Sequence, residues 1–252
     1  MNEDYDFLKK RFVELALKAD SGSYYTFTDF LGLAEQSAFS EILSKIKGIR
    51  YVSFGGAEGC ERVMVRFGNE EEIGYDIPFP ISVIKVSPLS QKFADKLSHR
   101  DFLGSLMNLG ISRDTIGDIA IVDNVGYVFA KEDIAPFIAD GLNKIKHTDV
   151  KCEICDSAPE GTLFRTEPKR VQASSERIDS LIAKVFSLSR DDAQRLFPKK
   201  LVFINGRICE SLSHTPRQND VISVRGHGRM IYRGFDSLTR KGKLNITVDL
   251  YI

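Results

Sequence analysis

No run in this 252-residue chain approaches the roughly 18 uninterrupted apolar residues that a membrane-crossing helix needs. Residues 1–6 are acidic, without the basic-then-apolar order of a secretory leader. Cysteine is scarce: Cys60, Cys152, Cys155 and Cys209 are too few and too scattered for a disulfide framework. These absences lead us to expect a cytoplasmic protein with no membrane attachment. An excess of charge is lacking too, since 35 Lys+Arg face 35 Asp+Glu.

That neutrality conceals an asymmetry. Residues 1–76 carry 9 basic and 14 acidic side chains, and residues 77–168 carry 10 and 13. Residues 169–252 carry 16 and 8, a local balance of +8. Basic charge concentrated in one segment of a neutral chain reads as a polyanion-binding face or as a solvated basic surface, and composition does not choose between them. With 42% hydrophobic and 28% charged residues, the chain is long enough for two or three small domains.

Periodicity divides it further. Phe7, Leu8, Phe12 and Leu15 predict an amphipathic helix over residues 4–18. A turn region over 23–32 and further helix to about residue 47 follow. Residues 50–54 and 62–67 look like strands flanking Gly55-Gly56-Ala57-Glu58-Gly59. The acidic Glu70-Glu71-Glu72 with Pro78 and Pro80 suggests a boundary near residue 77. Beyond it the order is strand 81–86, helix 92–109 ended by Gly110, and a hairpin of 119–122 with 125–130. Helix 132–145 and strand 149–155 complete the set. That is the order of a split βαβ sandwich of the ferredoxin or RRM-like kind.

Residues 159–170 read as a polar linker. In the last segment Ser174 and Ser175 can cap a helix whose apolar stripe is Ile178, Leu181, Ile182 and Val185. Ser189 is expected to cap a second helix, with Asp191 and Asp192 in its first turn. Strand 201–204 ends at the tight-turn pair Asn205-Gly206, and strand 221–224 follows. Lys241-Gly242 makes a turn into a terminal strand with Leu244, Ile246, Val248 and Leu250 on one face. The fold class expected is α+β: a mixed N-terminal domain (1–76), a split βαβ middle domain (77–168) and a third unit (169–252).

The third unit carries the informative constellation. Arg177-Ile178-Asp179 opens one short helix, and Ser189-Arg190-Asp191-Asp192-Ala193 opens the next. Lys199-Lys200 leads into Val202-Phe203-Ile204-Asn205-Gly206-Arg207, and Asp220-Val221-Ile222-Ser223-Val224-Arg225-Gly226 follows. This pattern resembles the alpha-L RNA-binding domain of ribosomal small-subunit protein four, tyrosyl-tRNA synthetases and pseudouridine synthases. It departs from that domain in three places. Ile178 stands where leucine is usual, Asn219 where glycine is usual, and Pro198-Lys199-Lys200 replaces a glycine-containing turn.

The physical chemistry agrees. Arg177, Lys184, Arg190, Arg195, Lys199, Lys200 and Arg207 can face a phosphate-rich groove, arginine through its planar fork and lysine as a point charge. Ser189 marks a helix start whose N–H groups can hold an anion. Asn205 and Arg225, within the matching segments, complete the candidate RNA-binding set. The competing structural reading pairs Arg177 and Arg190 with Asp179 and Asp192 inside the fold.

Upstream, His99-Arg100-Asp101-Phe102-Leu103-Gly104 continues to Arg113 and then Ile116-Gly117-Asp118-Ile119. Together with Phe54-Gly55-Gly56, Glu61-Arg62 and the C-terminal module, these segments resemble the YlmH family of bacterial RNA-binding proteins over nearly the whole chain. The resemblance implies a ribosome-associated protein that binds ribosomal RNA on the large subunit with tRNA or peptidyl-tRNA, and we expect it to be a monomer. It also implies a part in quality control of stalled translation, and less directly a link to cell division. His99, Arg100 and Arg113 are candidate secondary RNA contacts, while Asp101 can cap or pair locally.

No catalytic set emerges. His99-Arg100-Asp101 superficially resembles a kinase loop, but no glycine-rich loop or Asp-Phe-Gly accompanies it. The segment lacks the leucine of the motif around a pseudouridine synthase aspartate. Gly55-Gly56-Ala57-Glu58-Gly59 has no following Lys-Ser/Thr and is no P-loop. Cys152 and Cys155 face opposite sides of a strand, better read as small buried hydrophobes than as half of a zinc site. We therefore expect no catalytic residues, no cofactor and no metal. The rivals are an RNA-modifying enzyme anchored by the third unit and an adaptor docking a partner through exposed Phe and Tyr.

Overall fold

Helix α1 (Asn2–Gly22) grows from the N-terminal apolar repeat, burying Phe12, Leu15, Ala16 and Ala19 while Phe7 of the same repeat stays 74% exposed. The computed structural model describes residues 2–159, 164, 166–240 and 242–251. Strand β1 (Thr26–Phe27), helix α2 (Leu33–Ser40), and strands β2 (Tyr51–Phe54) and β3 (Met64–Phe67) follow. The three strands form an antiparallel sheet in the order β1-β3-β2. Phe12, Phe39, Ile42, Val65 and Phe67 fill the core between this sheet and the helices. The acidic run that suggests a boundary is a short helix, α3 (Glu70–Ile73). Asn69 caps it by accepting from the Glu72 N–H at 3.0 Å, and its three glutamates sit where the helix dipole favours them.

The next segment holds β4 (Ile81–Pro88), α4 (His99–Asn108), β5 (Ile116–Val122), β6 (Val125–Lys131), α5 (Ala135–Gly141), β7 (Lys144–Ile145) and β8 (Thr148–Cys155). Their sheet runs β5-β6-β4-β8-β7, every pairing antiparallel. Without the two-residue β7, this is the split βαβ order expected from the sequence. Two helix starts and ends differ from expectation. Helix α4 begins at His99, not near residue 92, because Ser98 and Asp101 form a reciprocal capping box there. Helix α5 stops at Gly141, since Leu142 leaves helical geometry and Lys144 and Ile145 turn back to pair with Asp149 and Thr148. Asp123 and Asn124 take φ of +49° and +64° at the β5–β6 hairpin, the left-handed pair a two-residue turn requires.

These two segments each have their own core, and a third cluster of Phe30, Met64, Val83 and Phe129 joins them. Together they make one compact unit, Met1–Phe164; the other is Arg165–Ile252.

The second unit contains β9 (Thr166–Ala173), α6 (Ile178–Val185), α7 (Arg190–Arg195), β10 (Val202–Ile204), β11 (Arg207–Ile208), β12 (Val221–Val224), β13 (Gly228–Leu238) and β14 (Leu244–Tyr251). Its sheet runs β11-β10-β12-β13-β14-β9. The linker expected over 159–170 is only partly a linker, with residues 160–163 and 165 outside the described residues. Residues 166–170 belong to β9, which pairs with β14 from Thr166↔Tyr251 to Ala173↔Leu244. Its alternation was hard to read because only Val171 and Ala173 are buried, and Pro168 is tolerated because β9 is an edge strand. The eleven-residue β13 was not anticipated either. Of the expected Lys241-Gly242 turn, Lys241 lies outside the described residues, while Gly242 takes φ +76° and donates to the Thr239 carbonyl at 2.9 Å.

Ser174 and Ser175 do not cap α6; Arg177 occupies the cap position without a side-chain cap bond. The first helical N–H groups go elsewhere. Ile178 N–H donates to the His214 carbonyl at 2.8 Å, and Ser180 N–H to the Asp179 carboxylate at 2.9 Å. The departures from the resembling domain also find their reason. Asn219 takes φ +72° and Lys200 φ +55°, so both positions keep the left-handed backbone that a glycine would adopt freely.

One close approach in the first unit is testable. A Cβ built on Gly126 of β6 would lie 2.2 Å from the ring of Phe102, which has no exposed surface. Gly126→Ala should therefore force the Phe102 ring or the strand to move, lowering stability by about 1–3 kcal/mol. Equilibrium urea unfolding checks this, and an unchanged midpoint would show that the ring has room to shift.

Candidate nucleic-acid interface

Asp179 sits on α6 with no exposed surface, an unusual place for a carboxylate. Its partners explain the burial. Arg177 donates through Nε and Nη2 at 3.1 and 3.0 Å, a two-pronged pair. Gln194 of α7 donates at 3.0 Å, and the Ser180 N–H at 2.9 Å. The Arg190 guanidinium stands 3.9 Å away. Burial pushes the Asp179 pKa up, but the bonds from Arg177, Gln194 and Ser180 outweigh it, and the group is held below the ordinary carboxylate range. One buried acid thus ties the start of α6 to the face of α7.

The candidate residues divide around this point. Arg177 and Arg190 both turn to Asp179, not one to Asp179 and the other to Asp192. Arg177 so has an internal partner that accounts for a cation at a helix start, whereas Arg190 remains 65% exposed. Ser189 accepts from the Asp192 N–H at 3.1 Å and donates to the Asp192 carboxylate at 2.6 Å, so its hydroxyl is engaged in capping α7. Asn205 bridges strands: its amide donates to Asp220 at 2.8 Å and accepts from the Val221 N–H at 2.9 Å. Neither Ser189 nor Asn205 presents a vacant group comparable to the exposed cations.

Lys184, Arg190, Arg195, Lys199, Lys200, Arg207 and Arg225 are all exposed. Among the described residues, Arg195 and Lys200 have only distant acidic neighbours, Asp192 at 3.9 Å and Glu210 at 3.8 Å. The Arg225 N–H donates to the Leu201 carbonyl at 2.9 Å, which sets Arg225 beside the Lys199-Lys200 turn at one end of the sheet. Arg207 pairs with Ile204 at the other end of β10. Sequence reasoning passed over Lys169, whose ammonium donates to the Val185 carbonyl at 2.7 Å and closes the C-terminus of α6. It also passed over the exposed His227 and over Arg229, which donates from Nε to the Ser223 hydroxyl at 3.1 Å.

In the first unit His99 and Arg100 are exposed at the start of α4. Asp101 caps that helix and pairs with Lys146 at 2.8 Å; the Lys146 contact and the Ser98 bonds pull its pKa down to about 2. Arg113 is placed differently. Its guanidinium donates to the Ile116 and Gly117 carbonyls, and burial beside Arg62 pulls its pKa down to about 10. Arg62, quoted in the sequence only as part of a motif, donates to Phe30, Arg113 and Ile116 carbonyls. Asp118 accepts from the Glu61 and Arg62 N–H groups. These half-buried groups knit the N-terminal and middle segments together.

Cys152 and Cys155 do face opposite sides of β8: Cys152 packs against the helix-covered core, Cys155 against the cluster around Phe129. Burial pushes the Cys152 thiol up to about 11, so it stays protonated at neutral pH. Among the described residues no three His, Cys, Asp or Glu side chains gather as a metal site, and no helix is long and apolar enough to cross a membrane.

Residues 76–158 match the family model described as "Putative RNA-binding domain in YlmH". The chain is 28% identical over 229 residues to the ribosome-associated protein quality control protein P2 of Bacillus subtilis (strain 168), covering 88% of this chain and 86% of that protein. A solved structure, the cell division protein ylmH from Streptococcus pneumoniae, is 27% identical, with a TM-score of 0.48, covering 62% of this chain and 92% of that one.

The Asp179 pairing makes a test by pH. Its folded pKa lies below the unfolded value of about 3.9, so its contribution is present above that value and is lost as pH falls through the folded pKa. Asp179→Asn should cost about 1–3 kcal/mol at neutral pH and flatten the acid limb of the stability curve. Arg177→Gln should lower the melting temperature as well, and Arg190→Gln should leave it nearly unchanged. Equal melting shifts for the two arginine variants would refute the division between them.

Proposed function

From its similarity to proteins of the YlmH family, whose RNA-binding-domain model matches residues 76–158, we propose that this chain binds RNA on the ribosome without chemically changing it. The ligand is ribosomal RNA of the large subunit together with tRNA or peptidyl-tRNA, and the setting is the quality control of stalled translation. The name of the Bacillus subtilis relative supports that setting. The observation that carries the reading is the charge of the second unit. Residues 169–252 hold a balance of +8, and seven candidate cations there are exposed rather than buried in the fold. Exposed lysines and arginines neutralise phosphates and release counterions, which ties affinity to salt.

The alpha-L reading of residues 169–252 places α6 and α7 against the RNA, with Lys184, Arg190, Arg195, Lys199, Lys200, Arg207 and Arg225 as contacts. Arg177 contributes by holding Asp179 and with it the angle between the two helices. Ser189 and Asn205 act through the backbone they position. His99 and Arg100 form a second, smaller contact on the first unit. Arg113 is not part of that contact, since its guanidinium is engaged with the Ile116 and Gly117 carbonyls.

In the full chain, replacing Lys184, Arg190, Lys199 and Lys200 together by Gln should weaken ribosome co-sedimentation and lower the salt slope of RNA binding by up to about four units. The four changes lie on the surface, so each should move stability by no more than roughly 0.5 kcal/mol. An undiminished slope would place the RNA surface elsewhere. For the non-catalytic part, purified protein incubated with ribosomal RNA and tRNA should leave every nucleotide mass unchanged. A modified nucleotide appearing in that digest would favour the RNA-modifying rival.

A further inference from the structure

We propose that the β12–β13 turn, residues 225–229, is a clasp for one unpaired nucleotide of RNA, distinct from the cations of α6 and α7. The inference rests on the RNA-binding reading above and adds the class of ligand feature recognised. The turn is held rigidly. Val224 pairs with Gly228, the His227 N–H donates to the Val224 carbonyl at 3.0 Å, and the Arg225 N–H to the Leu201 carbonyl at 2.9 Å. Gly226 takes φ +83° and Gly228 φ +137°, which the tight reversal needs. At Gly228 a Cβ would come 3.2 Å from the Phe186 ring, so the glycine lets the turn lie against that ring.

Three planar side chains are fixed around the turn, each by an aromatic neighbour. The Arg225 guanidinium lies 4.6 Å over the Phe203 ring, and the Arg229 guanidinium 5.4 Å over Tyr251. Arg229 also donates from Nε to the Ser223 hydroxyl at 3.1 Å. The His227 ring stands 6.3 Å from Phe186, tilted by 45°. Ser223, Arg225, His227, Arg229 and Tyr251 are among the residues lining an open cleft of about 490 Å³, within the roughly 300–1,000 Å³ of small-molecule sites. Arg225 and His227 are exposed, and the described residues give Arg225 no carboxylate partner.

This chemistry selects its ligand. A guanidinium with one face against Phe203 offers its other face and its N–H edge, which suits a flat base followed by a phosphate. A duplex hides its base faces in the stack, whereas an unpaired nucleotide exposes them. An acidic peptide has no planar face and would be held by charge alone. Stacking by preset planes adds affinity without adding salt dependence, which separates this site from the phosphate contacts.

The test uses the full chain and two RNA probes of equal length: a continuous duplex, and the same stem interrupted by a three-nucleotide bulge carrying 2-aminopurine. The parent should bind the bulged probe about tenfold more tightly, with 2-aminopurine fluorescence quenched on binding. Arg225→Lys with His227→Ala keeps the arginine's charge and removes two planes. It should lose the preference for the bulged probe and the quench while the melting temperature holds. Arg225→Lys alone should lose part of the preference, which guards against instability of the double variant. Equal binding of both probes by the parent, or a preference that survives the double variant, overturns the clasp and leaves the RNA-binding reading intact. Failure of the parent to bind either probe overturns both.

Discussion

A charge removed from water has to find a partner, and this protein meets that constraint at two places that organise the rest. In the second unit Asp179 has no exposed surface and gathers Arg177, Ser180 and Gln194 around its two oxygens. The angle between α6 and α7, and hence the direction in which Arg190 and Arg195 leave α7, follows from that pairing. In the first unit Arg62 and Arg113 are largely withdrawn from solvent and satisfied by backbone carbonyls, with Asp118 holding the chain next to Arg62. Breaking one partner of such a group leaves the other stranded, which is why buried pairs constrain geometry more than they add stability.

The two constraints have different consequences for RNA. In the second unit the buried pair consumes Arg177 and leaves Lys184, Arg190, Arg195, Lys199, Lys200, Arg207 and Arg225 exposed, so structure and recognition are carried by different side chains. In the first unit the sheet face opposite the helices of the split βαβ fold is partly covered. Val83 and Phe129 on that face pack against Phe30 and Met64 from the N-terminal segment. An RNA contact through the middle segment is therefore proposed at the α4 start, where His99 and Arg100 are exposed, rather than across that covered part of the sheet.

Much of the fold was legible because it depends on short-range signals. The capping Ser189, the Asp123-Asn124 and Asn205-Gly206 turns, and the split βαβ order all rest on a few adjacent residues. What escaped notice depends on distant partners. Strand β9 shows little alternation of its own and exists because β14 supplies its hydrogen bonds. The early start predicted for α4 failed because the Ser98–Asp101 capping box sets the boundary against a continuing apolar pattern. Glu70-Glu71-Glu72 suggested a break, yet Asn69 and the helix dipole make it a helix.

The candidate site divides in the same way. The sequence by itself determined the local basicity of residues 169–252, the identities of the cations and the helix and turn signals around them. Only the tertiary structure decided which cations are spent internally. Arg177 and Arg190 occupy similar positions in the sequence, each near a helix start. One is locked in a two-pronged pair and the other stands 3.9 Å off, because Asp179 has two oxygens and Gln194 and Arg177 already occupy them. Likewise, nothing in Arg225-Gly226-His227-Gly228-Arg229 reveals that Phe203, Phe186 and Tyr251 will come beneath those planes. Those aromatic residues lie on other elements, and a contact between residues far apart in the chain is set by how the sheet closes rather than by any local pattern.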